Sequence, residues 1–390
     1  MLIPCGNDDT TGITCQENGE RGYLFMRHTS MKHAFALIPC ALFMALLTGC
    51  SGEHLSSGDS SQRETVTVTD AAGRIVAIPD SVTRVVSPFT MYTRLIAAIG
   101  GQGKLVGISH NCLLPEEEIA HGVALLSLPD VGQFGSNIEL IASLKPDVIF
   151  ASEEYIASFE EKTDAAVVCV SFPHGTDIRD MFRRQTEIIG SVLRMEREAA
   201  DLIDFMDRKF ALVTDIAATI PDNEKQRVYF AWTSWTGDII NTIYDFDPIT
   251  LAGGINVAGE SQNFAPGERG ILVSREHIIN WDPDVILLSP AEAGVYGQES
   301  VTIGDVLADP LLKDVSAIKN KRVNYTTSLC NWWPQHRAIV QTMYIAKLLY
   351  PDRFADLDVE AEGNEIFKRF YGDDALYSRM AVDLGLYRWE

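Results

Sequence analysis

A long helical stretch in the middle of the chain, residues 177–220, most constrains the fold. Apolar residues in it recur three or four apart, the spacing of one helix face, and they are Met195, Ala199, Leu202, Met206, Phe210, Val213 and Ile216. Pro221 ends the pattern, with turn-forming residues directly after it. From Met195 to Ile220 the pattern predicts one helix of roughly 39 Å at 1.5 Å per residue. A helix of that length can run along two separate lobes.

Short β-forming runs alternate with helical patterns on both sides of this stretch. The runs are RVVSPF (84–89), KLVGISH (104–110), DVIFAS (147–152), AVVCVSF (166–172), RVYFAW (227–232), DVILLSP (284–290) and RVNYTTS (322–328). Helices are predicted over Met91–Ile99, Ile138–Leu144 and Pro248–Ala252, and from Pro334 onward. Such alternation is typical of parallel βαβ units. The predicted fold is therefore α/β: two Rossmann-like lobes with parallel-rich sheets, joined by a single long helix, with a ligand cleft between them.

The composition shifts along the chain predict five segments. A hairpin pattern, VTVTDAAGRIVAIP, opens the first lobe with turn residues at Asp70 and Gly73. The segments are an upstream extension with a signal peptide (1–49), a lipidated cysteine with a flexible tether (50–64), an N-terminal α/β lobe (65–176), a helical segment with the interlobe helix (177–221) and a C-terminal α/β lobe (222–390).

Residues 31–50 read MKHAFALIPCALFMALLTGC, a basic start followed by a short apolar core. A region this short is typical of a secretory signal peptide rather than of a membrane-spanning helix. Its end, Leu-Thr-Gly-Cys, resembles a bacterial lipobox, in which the cysteine is acylated and the chain is cut just before it. Cys50 is therefore the predicted lipidation site, and the alternative is an ordinary signal or a buried helix with a chance cysteine. Residues 1–30 would then be an upstream in-frame extension or a mis-assigned start.

Charge and motif content exclude several classes of function. A formal charge of −22 argues against nucleic-acid binding, which needs a basic surface. Cys112, Cys169 and Cys330 follow Cys50 without paired spacing, so no disulfide framework is predicted. The sequence contains no C-x-x-C, H-E-x-x-H, Gly-rich phosphate loop or G-x-S-x-G motif. These absences favour a binding protein over an enzyme and predict no cofactor.

Two segments repeat the same pattern, one in each predicted lobe. Residues 139–149 read ELIASLKPDVI and residues 276–286 read EHIINWDPDVI. The Pro and Asp suit a turn, and the Val-Ile pair suits the start of a buried parallel strand. Packing does not require the two glutamates, Glu139 and Glu276, although a helix start favours a carboxylate.

These residues resemble one protein family. The hairpin, VGQFGSNIELIASLKPDVIFAS, LAGGINVAG (251–259), VSREHIINWDPDVILLS and DPLLKDVSAIKNKRVNYT are together similar to periplasmic binding proteins that serve ABC importers of iron–siderophore complexes, haem and cobalamin. The similarity runs from Thr65 to Tyr350. It implies two lobes joined by one rigid helix, a ligand cleft between them and small lobe movements. It also implies that Glu139 and Glu276 form ion pairs with arginines of a dimeric permease, whose ATPase subunits supply the energy.

The loops after the predicted strands supply the candidate ligand-binding residues, because ligands bind outside the carboxyl ends of such strands. Four of the six tryptophans lie in these loops, which suits a planar or hydrophobic-rimmed chelate. The candidates are Tyr92, Arg94, His110, Tyr155, Trp232, Trp235, Arg269, Tyr296, Trp332, Trp333 and Arg337. His174 and His336 also lie near these loops, and no metal ligand set is assigned.

The sequence therefore predicts a monomeric, lipid-anchored, extracytoplasmic binding protein that captures a metal chelate for an ABC permease. A ferric siderophore is the first choice of ligand, with haem, a corrinoid or a molybdate-like or tungstate-like oxyanion as alternatives. A secreted two-domain metal-binding enzyme, or a metal-sensing or metal-scavenging lipoprotein without a permease, is the alternative function.

Overall fold

The computed structural model describes residues 64–110, 125–173, 175–260, 270–289, 301–327, 334–383 and 385–386. All of them belong to one compact unit that spans residues 61–390. The predicted signal peptide, Cys50 and most of the predicted tether lie outside the described residues. Among the described helices, none has both the length and the apolar composition to cross a membrane.

The N-terminal lobe is built on a parallel sheet of four strands. Its strands and helices are β1 (Thr65–Thr69), β2 (Ile75–Pro79), β3 (Val85–Ser87), α1 (Thr90–Ala98), β4 (Leu105–Ile108), α2 (Ile138–Ser143), β5 (Val148–Ala151), α3 (Ile156–Lys162) and β6 (Ala166–Cys169). The sheet order is β4-β3-β5-β6, and all pairs are parallel. The predicted hairpin is present as the antiparallel pair β1–β2.

Two antiparallel helices connect the lobes, α4 (Ile178–Leu193) and α5 (Glu196–Ala217). The predicted helical stretch is therefore interrupted once, at Arg194, whose φ of 57° is left-handed and ends α4. α5 has 22 residues and spans about 33 Å at 1.5 Å per residue. Its predicted apolar stripe is the buried side, with Leu202, Met206 and Val213 nearly inaccessible. α5 is thus the long interlobe helix that the periodicity predicts.

The C-terminal lobe repeats the topology of the first. Its elements are β7 (Arg227–Ala231), α6 (Thr233–Thr236), β8 (Asn241–Ile243), α7 (Asp247–Leu251), β9 (Ile255–Asn256), β10 (Gly270–Leu272), α8 (Arg275–Trp281), β11 (Val285–Leu288), α9 (Ile303–Ala308), α10 (Ser316–Lys319), β12 (Val323–Tyr325), α11 (Gln335–Leu349), α12 (Val359–Tyr371) and α13 (Leu376–Asp383). The parallel sheet has the order β9-β7-β11-β12, and β8 and β10 form a separate antiparallel pair. Each lobe therefore places its first parallel strand, β3 or β7, second in the sheet.

One continuous apolar core joins the lobes on their helical side. It contains residues of α1 and α4 from the first lobe, of α5, and of α7, α11 and α12 from the second. Arg369 on α12 adds a polar link, because its Nη1 donates to the Ala98 carbonyl at the end of α1 at 2.7 Å. A second link runs from the Ile178 N–H at the start of α4 to Asp247 Oδ2 at 2.9 Å. The lobes are thus held together by more than the single helix that the sequence predicts.

Candidate functional site

The carboxyl ends of both sheets face the boundary between the lobes. α1 begins directly after β3, and α11 is the first described helix after β12. The first residue of α11, Gln335, is fully buried, and its Nε2 donates to the Met91 carbonyl in the first turn of α1 at 3.5 Å. Two helix starts, one from each lobe, therefore meet at this boundary. In doubly wound sheets this is where ligands bind.

Neither helix start has a side-chain cap among the described residues. The N-cap residues are Phe89 for α1 and Pro334 for α11, and neither side chain has an oxygen that could accept a hydrogen bond from the first turn. Neither first turn contains an acidic residue. Since the N-terminal N–H groups and the helix dipole both favour a negative partner, the paired helix starts are suited to an anion.

Each of these helices also contains a buried arginine near its start. Arg94 on α1 is 3% exposed, and Arg337 on α11 is 1% exposed. Burying a guanidinium group is costly unless it is paired with anions or hydrogen-bond acceptors. Both arginines are residues that the sequence nominated, and the structure brings them to the same boundary through the contact between Gln335 and Met91.

The edge of the second sheet adds a buried polar network. Its residues were not named among the final candidates, although Ser289 and Thr327 lie in loops that the sequence indicated. The Thr327 carbonyl, just after β12, accepts hydrogen bonds from Gln341 Nε2 at 3.2 Å and Ser289 Oγ at 3.4 Å. Gln341 Nε2 also donates to Thr326 Oγ1 at 2.8 Å. Within the described part of the chain, Thr327 Oγ1 and Gln335 Oε1 are buried and have no hydrogen-bond partner. The sequence signal for this network is the Thr, Ser and Gln residues that follow the predicted strands.

Aromatic rings cover the edge of the first sheet. Phe89 stacks on Phe134 with ring centroids 5.5 Å apart, and Tyr155 lies 5.5 Å from Phe89 and 5.7 Å from Phe134. Phe134 has a left-handed backbone, with φ of 55°, between Gly132 and Gly135, which also have positive φ. Residues other than glycine rarely adopt this backbone conformation, and such strained residues are concentrated at functional sites. Phe134 was not nominated from the sequence, whereas Phe89 lies in a loop that the sequence indicated but was not among the final candidates.

Two nominated tyrosines occupy different environments. Tyr92 is 1% exposed, and its hydroxyl is 3.2 Å from Ser152 Oγ, below the surface of the lobe. Burial raises the pKa of Tyr92 well above its usual range, so its phenol stays protonated. Tyr155 is half-buried, and burial raises its pKa as well. Tyr155 is therefore the more accessible of the two at the sheet edge.

The remaining described candidates differ in burial. His110 follows β4, and its backbone N–H donates to Asp130 Oδ1 at 3.0 Å. Trp232 follows β7 and packs, half-buried, against the main core. His336 is fully buried, with its ring at 4.8 Å from Phe367 and its Nε2 at 3.1 Å from the Tyr371 hydroxyl.

The other nominated residues lie outside the described part of the structure. They are Arg269, Tyr296, Trp332, Trp333 and His174, together with the side chain of Trp235. In the described ranges, no three His, Cys, Asp or Glu side chains are grouped in a way that could hold a metal ion. The ligand-binding role of each nominated residue stays a prediction.

The two repeated glutamates occupy the same place in the two lobes. Glu139 is the second residue of α2 and Glu276 is the second residue of α8, and both are exposed. Two residues later each helix buries an isoleucine completely, Ile141 or Ile278. The exposed carboxylates therefore project from helices that are fixed to their lobes by the buried side.

The chain matches a protein family over residues 85–329, and the description of that family is periplasmic binding protein. The matched region contains both sheets, the interlobe helix and both glutamate-bearing helices. The chain belongs to the periplasmic binding protein family.

Relatives of this periplasmic binding protein belong to ABC transport systems. The molybdate-binding protein MolA of Haemophilus influenzae is 26% identical over 84% of this chain and 96% of its own length. Two relatives come from Bacillus subtilis. The substrate-binding lipoprotein YvrC is 24% identical over 81% of this chain and 97% of its own, and the petrobactin-binding protein YclQ is 25% identical over 52% and 62%.

The solved structure of MolA bound to molybdate has the same fold. It superposes with a TM-score of 0.64 at 24% identity and covers 79% of this chain and 98% of MolA. The predicted α/β fold of two lobes is therefore confirmed, as is the resemblance to binding proteins of ABC importers. The protein is a periplasmic substrate-binding protein of an ABC transporter, and its relatives are transport proteins rather than enzymes.

Proposed function

We propose that this binding protein captures an anionic, metal-containing ligand at the lobe boundary, with an oxyanion of the molybdate class as first candidate. The observation that carries the proposal is the meeting of two helix starts without side-chain caps or acidic residues, each with a buried arginine. N–H groups, helix dipoles and guanidinium groups all favour a compact anion. The molybdate ligand of MolA supports this choice of class.

A ferric siderophore is the second candidate, and the aromatic cluster of Phe89, Phe134 and Tyr155 favours it. Aromatic rings at a sheet edge suit a ligand with flat apolar surfaces. A siderophore that carries net negative charge would use the same two arginines. The petrobactin-binding relative supports this class over about half of the chain, since the match covers 52% of it.

The protein delivers its ligand by docking through Glu139 and Glu276. Each glutamate is exposed at the second position of a helix, at equivalent places in two lobes of the same topology. Carboxylates in this arrangement can form charge-assisted pairs with arginines on two copies of a permease. Reversing both charges, with Glu139→Arg and Glu276→Arg, should abolish capture of the permease. Unchanged transport by this double variant would contradict the docking role.

Cys50 anchors the protein to the membrane through its lipid. The lipobox pattern at residues 47–50 and the relative described as a lipoprotein support this assignment. Several acyl chains on one cysteine give stable anchoring, whereas a single chain binds only marginally.

Intrinsic tryptophan fluorescence of the full chain, titrated with defined ligands, tests the ligand class. The panel is sodium molybdate, sodium tungstate, sodium sulfate, a ferric catecholate siderophore, haem and cyanocobalamin. We expect saturable changes with molybdate and tungstate, or with the ferric siderophore for the second candidate. Saturation by haem or cobalamin alone would overturn the proposal, because neither requires a compact anion site.

A further inference from the structure

At the end of each glutamate-bearing helix, α2 and α8, an arginine side chain donates hydrogen bonds to a backbone carbonyl. Arg84 donates to the Leu144 carbonyl at the end of α2, from Nη2 at 2.6 Å and from Nε at 3.2 Å. Arg227 donates to the Trp281 carbonyl at the end of α8, from Nη2 at 3.0 Å and from Nε at 3.3 Å. Leu144 and Trp281 hold the same position in the repeated segment.

The backbone of each arginine is tied to the repeated Asp that follows the helix. The Arg84 N–H donates to Asp147 Oδ2 at 2.9 Å, and the Asp147 N–H donates back to the Arg84 carbonyl at 2.8 Å. Arg227 and Asp284 make the same two bonds, each at 2.8 Å. Each arginine therefore joins the start of a strand, the turn and the helix end in one closed set of bonds.

This contact matters because α2 and α8 are too short to be stable alone. They have 6 and 7 residues, and isolated helices of that length do not persist in water. Both are followed by a residue with left-handed backbone, Lys145 with φ of 46° and Asp282 with φ of 42°. Beside the end of α2 a cavity of about 950 Å³ opens, lined by Arg84 and residues 142–147, so packing supports that end only in part.

We propose that Arg84 and Arg227 are positioning residues for permease docking, a role that rests on the proposed docking function of Glu139 and Glu276. Each arginine fixes the direction of a glutamate-bearing helix on its sheet. Together they set the relative position of two carboxylates that must meet two permease subunits at once. Neither arginine touches the permease in this proposal.

The two lobes differ in how much other support the helix receives. α8 is also held at its first residue, because Arg275 Nε donates to Asp309 Oδ2 at 2.7 Å, and Arg227 pairs with Glu260 at 2.6 Å. α2 has a side-chain cap at its start, where the Leu140 N–H donates to Asn137 Oδ1 at 3.2 Å. Arg84 makes no ion pair with a described residue. Loss of Arg84 should therefore disturb docking more than loss of Arg227.

The test measures binding of the full chain to its permease in lipid nanodiscs by surface plasmon resonance. Arg84→Ala should weaken binding about tenfold and Arg227→Ala about threefold, because each removes a charged hydrogen bond to a helix end. Arg84→Lys should restore part of the affinity. Arg183→Ala is the matched control, since Arg183 pairs with Asp207 at 2.7 Å on the surface of α4.

Hydrogen exchange of residues 138–143, followed by mass spectrometry, supplies the structural readout. We expect faster exchange there in Arg84→Ala, with an unchanged midpoint of global unfolding. Wild-type permease affinity in Arg84→Ala, alongside lost affinity in Glu139→Arg, would overturn this inference and leave the docking proposal intact. Wild-type affinity in the double variant with both glutamates reversed would instead overturn the docking proposal itself.

Discussion

Arg94 and Arg337 are two buried arginines on which the proposed anion site depends. Their guanidinium groups are 3% and 1% exposed, at a boundary where two helix dipoles already point their positive ends. In the proposed site, this positive charge would favour binding of an anion. We therefore expect ligand binding to raise the melting temperature by mass action.

Replacing Arg337 tests the proposed anion site directly. Arg337→Gln should weaken molybdate binding at least about tenfold, because a charged hydrogen bond is worth about 1.5–3 kcal/mol. Isothermal titration calorimetry with sodium molybdate measures the loss. Arg353→Gln serves as the control, since Arg353 pairs with Glu224 at 2.6 Å on the surface. Equal affinities for the wild type and Arg337→Gln would remove Arg337 from the site.

The candidate site could be predicted in part from single residues. Loops after strands nominated Arg94, Arg337 and Tyr155. The structure places the two arginines near helix starts at the lobe boundary and Tyr155 at the edge of the first sheet. Phe134 could not be predicted as a site residue, because its place in the aromatic cluster depends on a left-handed backbone that only the folded loop imposes. Its neighbour Gly135 is also constrained, because a Cβ there would lie 2.6 Å from Phe159 Cζ. Such crowding comes from residues distant in sequence.

At the scale of elements, α12 is one of the links that hold the lobes together. Lys209 on the interlobe helix is 8% exposed, and its Nζ lies 2.6 Å from Glu362 and 2.7 Å from Glu365 on α12. The same helix reaches the first lobe through Arg369 and Ala98. α12 thus connects the interlobe helix with α1, the helix that carries Arg94.

Lys209→Met should lower the free energy of unfolding by about 1–3 kcal/mol, because it leaves two neighbouring carboxylates without their cation. The loss stays below that of a fully buried pair, since Glu365 is 58% exposed at its side chain. Urea unfolding followed by circular dichroism measures it. Lys225→Met removes a surface pair with Asp222 at 2.8 Å and should change stability by less than about 0.5 kcal/mol. Equal losses in the two variants would contradict the role given to Lys209.

Most elements could be predicted from periodicity, and the exceptions have physical causes. Buried parallel strands such as β5 and β11 are apolar throughout, and α5 carries a regular stripe. The break between α4 and α5 falls at Arg194, which adopts a left-handed backbone. Because no Gly or Pro stands there, the sequence gives no signal for this break. β8 and β10 have three residues each and pair across a long sequence separation, so no local pattern specifies them.

At the scale of the whole molecule, the shared core limits how far the lobes can move. Opening them would expose apolar side chains of α1, α11 and α12, at a cost of about 25 cal/mol per Å² of apolar surface. We expect small-angle X-ray scattering to give the same radius of gyration with and without sodium molybdate. A clear decrease on ligand addition would show a hinge closure that this core does not permit.

Cys50→Ser should release the whole protein from the membrane, because it removes the thiol that we propose is acylated. Fractionation of cells followed by immunoblotting should find the variant in the soluble extracytoplasmic fraction. Its molybdate affinity should equal that of the wild type, because Cys50 precedes the predicted tether and both predicted lobes in the sequence. Retention of the variant in the membrane fraction would argue against lipid anchoring through this residue.

The paired helix starts also affect the kinetics of capture. The chain carries a formal charge of −22, so a dianion approaching from a distance is repelled before it meets the positive boundary between the lobes. At 0.1 M salt the Debye screening length is about 10 Å, so repulsion at longer distances is largely screened. Contacts in a buried site are weakened much less. The association rate for an oxyanion should therefore rise with ionic strength while its affinity falls.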